Sequence, residues 1–161
     1  FYFKQPILLW LLTFLFTCDL LRKIVEYKIT IRDLVAFILG LAFINVGIDH
    51  FINPVWYEPI VPSLLPDATF WVLASGVVEV AVGIGLIFPK TRKRAGYASA
   101  VLLTLLYPAN LYMWIFDVEL GDGASLSPTG HVIRLILQIG GILLSLWIAE
   151  FFDRYVDSVN E

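Results

Sequence analysis

With 161 residues, 59% of them hydrophobic and 16% charged, and a mean hydropathy of +0.82, the chain has the composition of a one-domain membrane protein rather than a soluble globule. A net charge of −3 and a sequence pI near 5.3 exclude the basic stripe that nucleic-acid binding requires. Cys18 is the only cysteine, which excludes an intrachain disulfide, a CxxC pair and a thiolate metal cluster. Redox chemistry would therefore need a bound cofactor or a partner.

Crossing the hydrocarbon in a helix takes about 20 apolar residues. Five windows qualify, at about 5 to 21, 32 to 51, 68 to 88, 95 to 116 and 131 to 152. The first, around PILLWLLTFLFTCDLL, lacks a small-residue cleavage site and reads as a retained span rather than a signal peptide. The expected layout is an N-terminal helix with a basic linker over 1–31, a four-helix membrane domain over 32–152 and a tail over 153–161. The predicted fold class is all-α and polytopic, a four-helix transmembrane bundle plus one additional N-terminal helix.

Arg22, Lys23, Lys28 and Arg32 lie between the first two windows, and Lys90, Arg92, Lys93 and Arg94 between the third and fourth. Loops 52–67 and 117–130 carry no Lys or Arg. The positive-inside rule places both basic loops in the cytoplasm of an inner, multi-pass membrane location and the other two loops outside. Pro54, Pro59, Pro62 and Pro66 make the first outer loop an irregular, stiffened cap. Gly, Ser and Asp make the second a mobile connection.

The polar residues inside the spans are the functional candidates, because ionisable groups at membrane depth are costly. Asn45 and Asp49 share one face of the second window, with His50 about 100° away and at the rim. Either Asp49, His50 and Asn53 cap a helix end, or His50 or Asn45 polarises a ligand oxygen. Gly76, Glu79 and Gly83 form one stripe of the third window, where small residues let a neighbouring helix approach. Glu79 then lies near the midplane, protonated or paired. In the fourth window Pro108 should kink the helix beside Tyr107 and Asn110, either building a pocket wall or serving only as a structural kink. In the fifth, His131, Arg134, Gln138, Gly141 and Ser145 form one polar stripe. The expected contact is an Arg134 and Glu79 pair bridged by Gln138, with Arg134 snorkelling to water as the alternative. His50 and His131 are weak evidence for heme, and no spacing of metal ligands is visible.

The segments GLAFINVGIDHFINPVWYEPIVPSLLPD, SGVVEVAVGIGLIFPKTRKRAGY, YPANLYMW and RLILQ together resemble the DoxX family of small membrane proteins over about residues 32–150. The resemblance implies a four-helix membrane bundle and association with quinone-linked sulfur oxidation, as in the small subunit of thiosulfate:quinone oxidoreductase, or with oxidative-stress membrane complexes. It also implies a role for Asn45, His50, Glu79, Asn110, Arg134 and Gln138. The cysteine pairs of the thiol-redox relatives are absent here.

Three functions follow as expectations. The first is a quinone-linked subunit of a membrane complex, with Asn45, His50, Tyr107, Asn110, Arg134 and Gln138 binding the head group and Glu79 exchanging a proton. The second is a non-enzymatic structural or assembly subunit. The third is a binder or carrier of a small apolar molecule or lipid.

Overall fold

The structure is a computed structural model describing residues 29–160, and of Arg154, Val156 and residues 158–160 it describes the backbone alone. The expected span over residues 5–21 and most of the first basic loop lie outside the described residues. The rest is built from α1 (Ile31–Ile52), a single turn α2 (Pro54–Tyr57) running into a 3-10 turn (Glu58–Ile60), α3 (Ala68–Ile87), α4 (Arg92–Ile115), α5 (Pro128–Ile148) and α6 (Phe151–Asn160). Helices α1, α3, α4 and α5 are each long and apolar enough to cross a membrane. Their ends fall within a few residues of the windows read from hydropathy.

These four helices alternate in direction and enclose one apolar core of Ala36, Phe43, Val82, Leu86, Ala95, Leu102 and Ile148. Much of the remaining apolar surface faces outward: Leu34, Phe37, Ile38, Val77, Val101, Leu105, Ile136 and Leu137 are all exposed. A surface this apolar suits lipid and not water.

Helices α1 and α3 approach through glycine. A Cβ on Gly40 would meet the Gly83 carbonyl oxygen at 2.7 Å, and one on Gly47 would meet that of Gly76 at 2.8 Å. The reciprocal distances, 2.6 Å from Gly83 to Gly40 and 2.9 Å from Gly76 to Gly47, describe the same contacts from the other side. Two glycines seven residues apart on each helix of the pair fix one antiparallel register, as small residues do where helices have no hydrophobic drive to associate. The α3 stripe is thus confirmed as a packing surface, and its partner stripe on α1 is supplied by the fold.

The basic end is tied by ions. Arg92 pairs with Asp33 and also donates to the Leu86 and Ile87 carbonyls, at 3.1 and 3.2 Å, which end α3. Arg32 bonds Asp153 at 2.8 Å, and Lys93 bonds Glu150 at 2.5 Å. After α5 the chain breaks at Glu150, with φ of 58°, and turns into α6, so the expected tail is helical.

At the opposite end the two acidic loops are more ordered than their composition suggests. Pro54 sits at the first position of α2, where a missing N–H costs nothing, so the proline-rich segment does form helical turns. Ile60, Met113 and Leu120 make a second small core, packed by Trp56, Tyr57, Ala109, Val118 and Leu126. Gly121 donates its N–H to the Trp56 carbonyl at 3.2 Å, and a Cβ there would lie 2.3 Å from the Val55 carbonyl oxygen. The glycine-rich loop expected to be a mobile connection is therefore docked on the proline-rich one. Asp122 stabilises it by accepting the Ala124 N–H and the Trp56 indole, which hold its carboxyl below the ordinary value.

Candidate functional site

The polar residues predicted to line one pocket separate into two clusters. The first lies between α4 and α5. Tyr107, Asn110, Leu111, Trp114, His131, Arg134, Leu135 and Gln138 enclose a cavity of about 10 Å³, enough for roughly one water molecule. Pro108 deprives the Thr104 carbonyl of its helical donor. At this loosened turn the neighbouring Leu103 carbonyl accepts a hydrogen bond from Gln138 Nε2. Asn110 Nδ2 donates to Gln138 Oε1 at 3.1 Å, so the three groups form a closed bridge between α4 and α5. His131 is buried and stacks on Trp114, with ring planes 4° apart and centroids 5.5 Å apart.

Arg134 lies beside this bridge. Its Nη1 donates to the Met113 sulfur at 3.0 Å. A thioether is a weak acceptor for a guanidinium with five N–H donors. The Arg134 and Glu79 pair expected from the sequence is not formed, because Glu79 is turned toward α1. Gln138 is engaged by α4 and does not bridge them.

The second cluster lies between α1, α2 and α3. Glu79 is buried, and its Oε2 lies 3.6 Å from Nδ1 of His50. Ser75 Oγ is 3.2 Å from the same nitrogen and 2.9 Å from the Val72 carbonyl. His50 reaches this depth because Gly76 has no side chain: a Cβ there would meet the His50 Cβ at 2.9 Å. Position along the helices puts His50 at the rim and Glu79 at the midplane, and the glycine register brings them together.

Tyr57, which no spacing or motif in the sequence ties to these residues, belongs to this cluster. Its ring lies edge-on to His50, with centroids 4.2 Å apart, and its hydroxyl donates to Asp49 Oδ2 at 2.6 Å. Burial pushes its hydroxyl pKa well up; the hydrogen bond to Asp49 and the charges of Asp49 and Glu79 add to this, while Arg134 opposes it. Tyr57 thus stands within electrostatic reach of both clusters. Asp49, which also accepts from Asn53 at 2.7 Å, closes the helix end. Asn45 is exposed on α1 and does not line the pocket between α4 and α5. Among the described residues no three His, Cys, Asp or Glu side chains come together as a metal site.

No curated protein and no solved structure matches the chain. The family described as Domain of unknown function (DUF8561) matches residues 39–149. That span holds both clusters, most of α1 and the whole of α3, α4 and α5. By this match over more than half of its length, the chain belongs to the DUF8561 family.

Proposed function

We propose that the chain is a membrane-embedded, redox-associated subunit whose pocket between α4 and α5 hydrogen-bonds the head group of a quinone. The observation that carries this reading is Arg134, part-buried in a spanning helix with a sulfur atom as its hydrogen-bond acceptor. A guanidinium in that setting favours an oxygen acceptor, and a quinone carbonyl on an apolar ring offers one at membrane depth. The donor set fits: Arg134 supplies N–H groups, the Tyr107 hydroxyl lines the same wall, and Trp114 offers an aromatic face. A cavity of about 10 Å³ admits the ring only when side chains on its lipid side swing outward, and Leu111 and Trp114 are both part-exposed there. When bound, a quinone supplies two-electron, two-proton chemistry. The residues of this chain bind and orient it, and a partner subunit delivers the electrons.

The motifs similar to those of the DoxX family favour the same assignment, and the positive-inside rule favours a cytoplasmic position for the basic end. A structural or assembly role is the second reading, supported by the closed Asn110, Gln138 and Leu103 bridge, which fixes the contact between α4 and α5 without any ligand.

Titrating the full chain in lipid nanodiscs with a short-chain quinone tests the proposal, with tryptophan quenching read against a Trp114→Phe chain. Saturable quenching is expected, weakened about tenfold or more by Arg134→Leu, as when a charge-assisted hydrogen bond is removed. Equal quenching of the parent and Arg134→Leu chains would sink the assignment. Loss of complex assembly by Arg134→Leu, without any quinone binding in the parent, would favour the structural reading.

A further inference from the structure

The second cluster contains a buried carboxyl whose partners are incomplete. Oε2 of Glu79 is shielded from solvent and has no hydrogen-bond partner among the described residues. An ionised carboxylate without a donor in a low-dielectric site costs several kcal/mol. The nearest basic group is His50 Nδ1, at 3.6 Å, with both side chains buried to within a tenth of full exposure.

Ser75 senses which form His50 adopts. Its hydroxyl has one hydrogen and two acceptors in reach, the Val72 carbonyl at 2.9 Å and His50 Nδ1 at 3.2 Å. When the hydroxyl donates to Val72, its oxygen is free to accept an Nδ1–H. When it turns to His50, Nδ1 must be a bare acceptor, with the ring hydrogen on Nε2. The hydroxyl is therefore a two-position rotor coupled to the proton on Nδ1.

From this geometry we propose that His50 and Glu79 form a proton-binding site inside the membrane, holding one exchangeable proton that passes between Glu79 Oε2 and His50 Nδ1. In one state Glu79 is a neutral acid, His50 carries its hydrogen on Nε2, and Ser75 donates to Nδ1. In the other the Glu79 O–H bond has broken and an Nδ1–H bond has formed. The result is an imidazolium beside a carboxylate, with Ser75 turned to Val72. No electron moves, and the net charge of the pair is unchanged. A gap of 3.6 Å exceeds a hydrogen bond, so transfer requires a small closure of the two side chains or one bridging water.

Among the described residues, the charged and titratable groups around the pair are Asp49 on α1, Tyr57 on α2 and Arg134 on α5, which acts on the Tyr57 hydroxyl. Tyr57 covers His50 from the loop end, leaving Asp49 at the rim. The site uses none of the atoms of the ligand pocket, so it stands whether or not that pocket takes a quinone.

The test uses the full chain in lipid nanodiscs. Infrared difference spectra between about pH 5 and 8, the range in which histidine titrates, should show a protonated-carboxyl band that is lost in Glu79→Gln. The pH dependence of that band should change in His50→Gln. NMR of the ring nitrogens should show the His50 tautomer ratio changing in Ser75→Ala, which removes the rotor and leaves the helix contacts in place. An unchanged band in Glu79→Gln would overturn the proposal, and so would a Glu79 band in His50→Gln that titrates like that of the parent. If Glu79→Gln does not fold, the His50→Gln and Ser75→Ala chains decide the matter by the same readouts. Quinone binding is not measured in any arm, so failure here and failure of the pocket assignment are separate results.

Discussion

The imidazole of His50 and the carboxyl of Glu79 lie 3.6 Å apart inside the α1 and α3 contact, although the sequence places one at a helix end and the other eleven residues into a span. Gly76 makes this possible by leaving room for the His50 side chain.

The glycine contact predicts a sharp position dependence. Gly40→Ala and Gly83→Ala would each press a methyl group against a facing carbonyl oxygen, at 2.7 and 2.6 Å, and should destabilise the folded chain by about 1–3 kcal/mol. Gly140→Ala, with nothing within 4 Å of the new Cβ, should stabilise α5 by about 0.5–1 kcal/mol. Thermal unfolding in one detergent measures all three.

Gln138→Leu should destabilise the α4 and α5 pair. The substitution keeps the size of the side chain but leaves the Leu103 carbonyl and the Asn110 amide without their partner. A loss of about 1–3 kcal/mol is expected. A neutral result would mean that water replaces the amide.

Arg92→Lys should lower stability despite keeping the charge. The guanidinium joins Asp33 to the Leu86 and Ile87 carbonyls at once, and a single ammonium does not span all three. The expected loss is about 1–3 kcal/mol, again read from unfolding.

Tyr57 should make stability fall in alkali. Its pKa in the folded chain is raised above the ordinary 10.0, so the folded state keeps a proton that the unfolded chain releases. The resulting stabilisation is complete below about pH 10 and disappears as pH rises toward the folded-state value. Tyr57→Phe should flatten the stability profile above about pH 10, at a cost near neutrality from the lost Asp49 hydrogen bond.

Hydropathy alone located the four spans, because a helix in lipid must be about 20 residues of apolar side chain whatever its neighbours are. The 3.6-residue period likewise set His131, Arg134 and Gln138 on one face, and Pro108 marked the turn where Tyr107 and Asn110 line a cavity. The pairing of these groups was not legible. Depth counted along each helix suggested Arg134 for Glu79, but the separation of side chains on different helices depends on register, and the register comes from Gly40, Gly47, Gly76 and Gly83 meeting backbone to backbone. The docked acidic loops show the same division. Proline and glycine announced two turns, while the contact of Gly121 with Val55 and the placement of Tyr57 over His50 arise only when both loops fold onto one end of the bundle. Composition and periodicity act within one helix and fixed where each polar group sits. Which of them meet was decided by the close approach of separate helices.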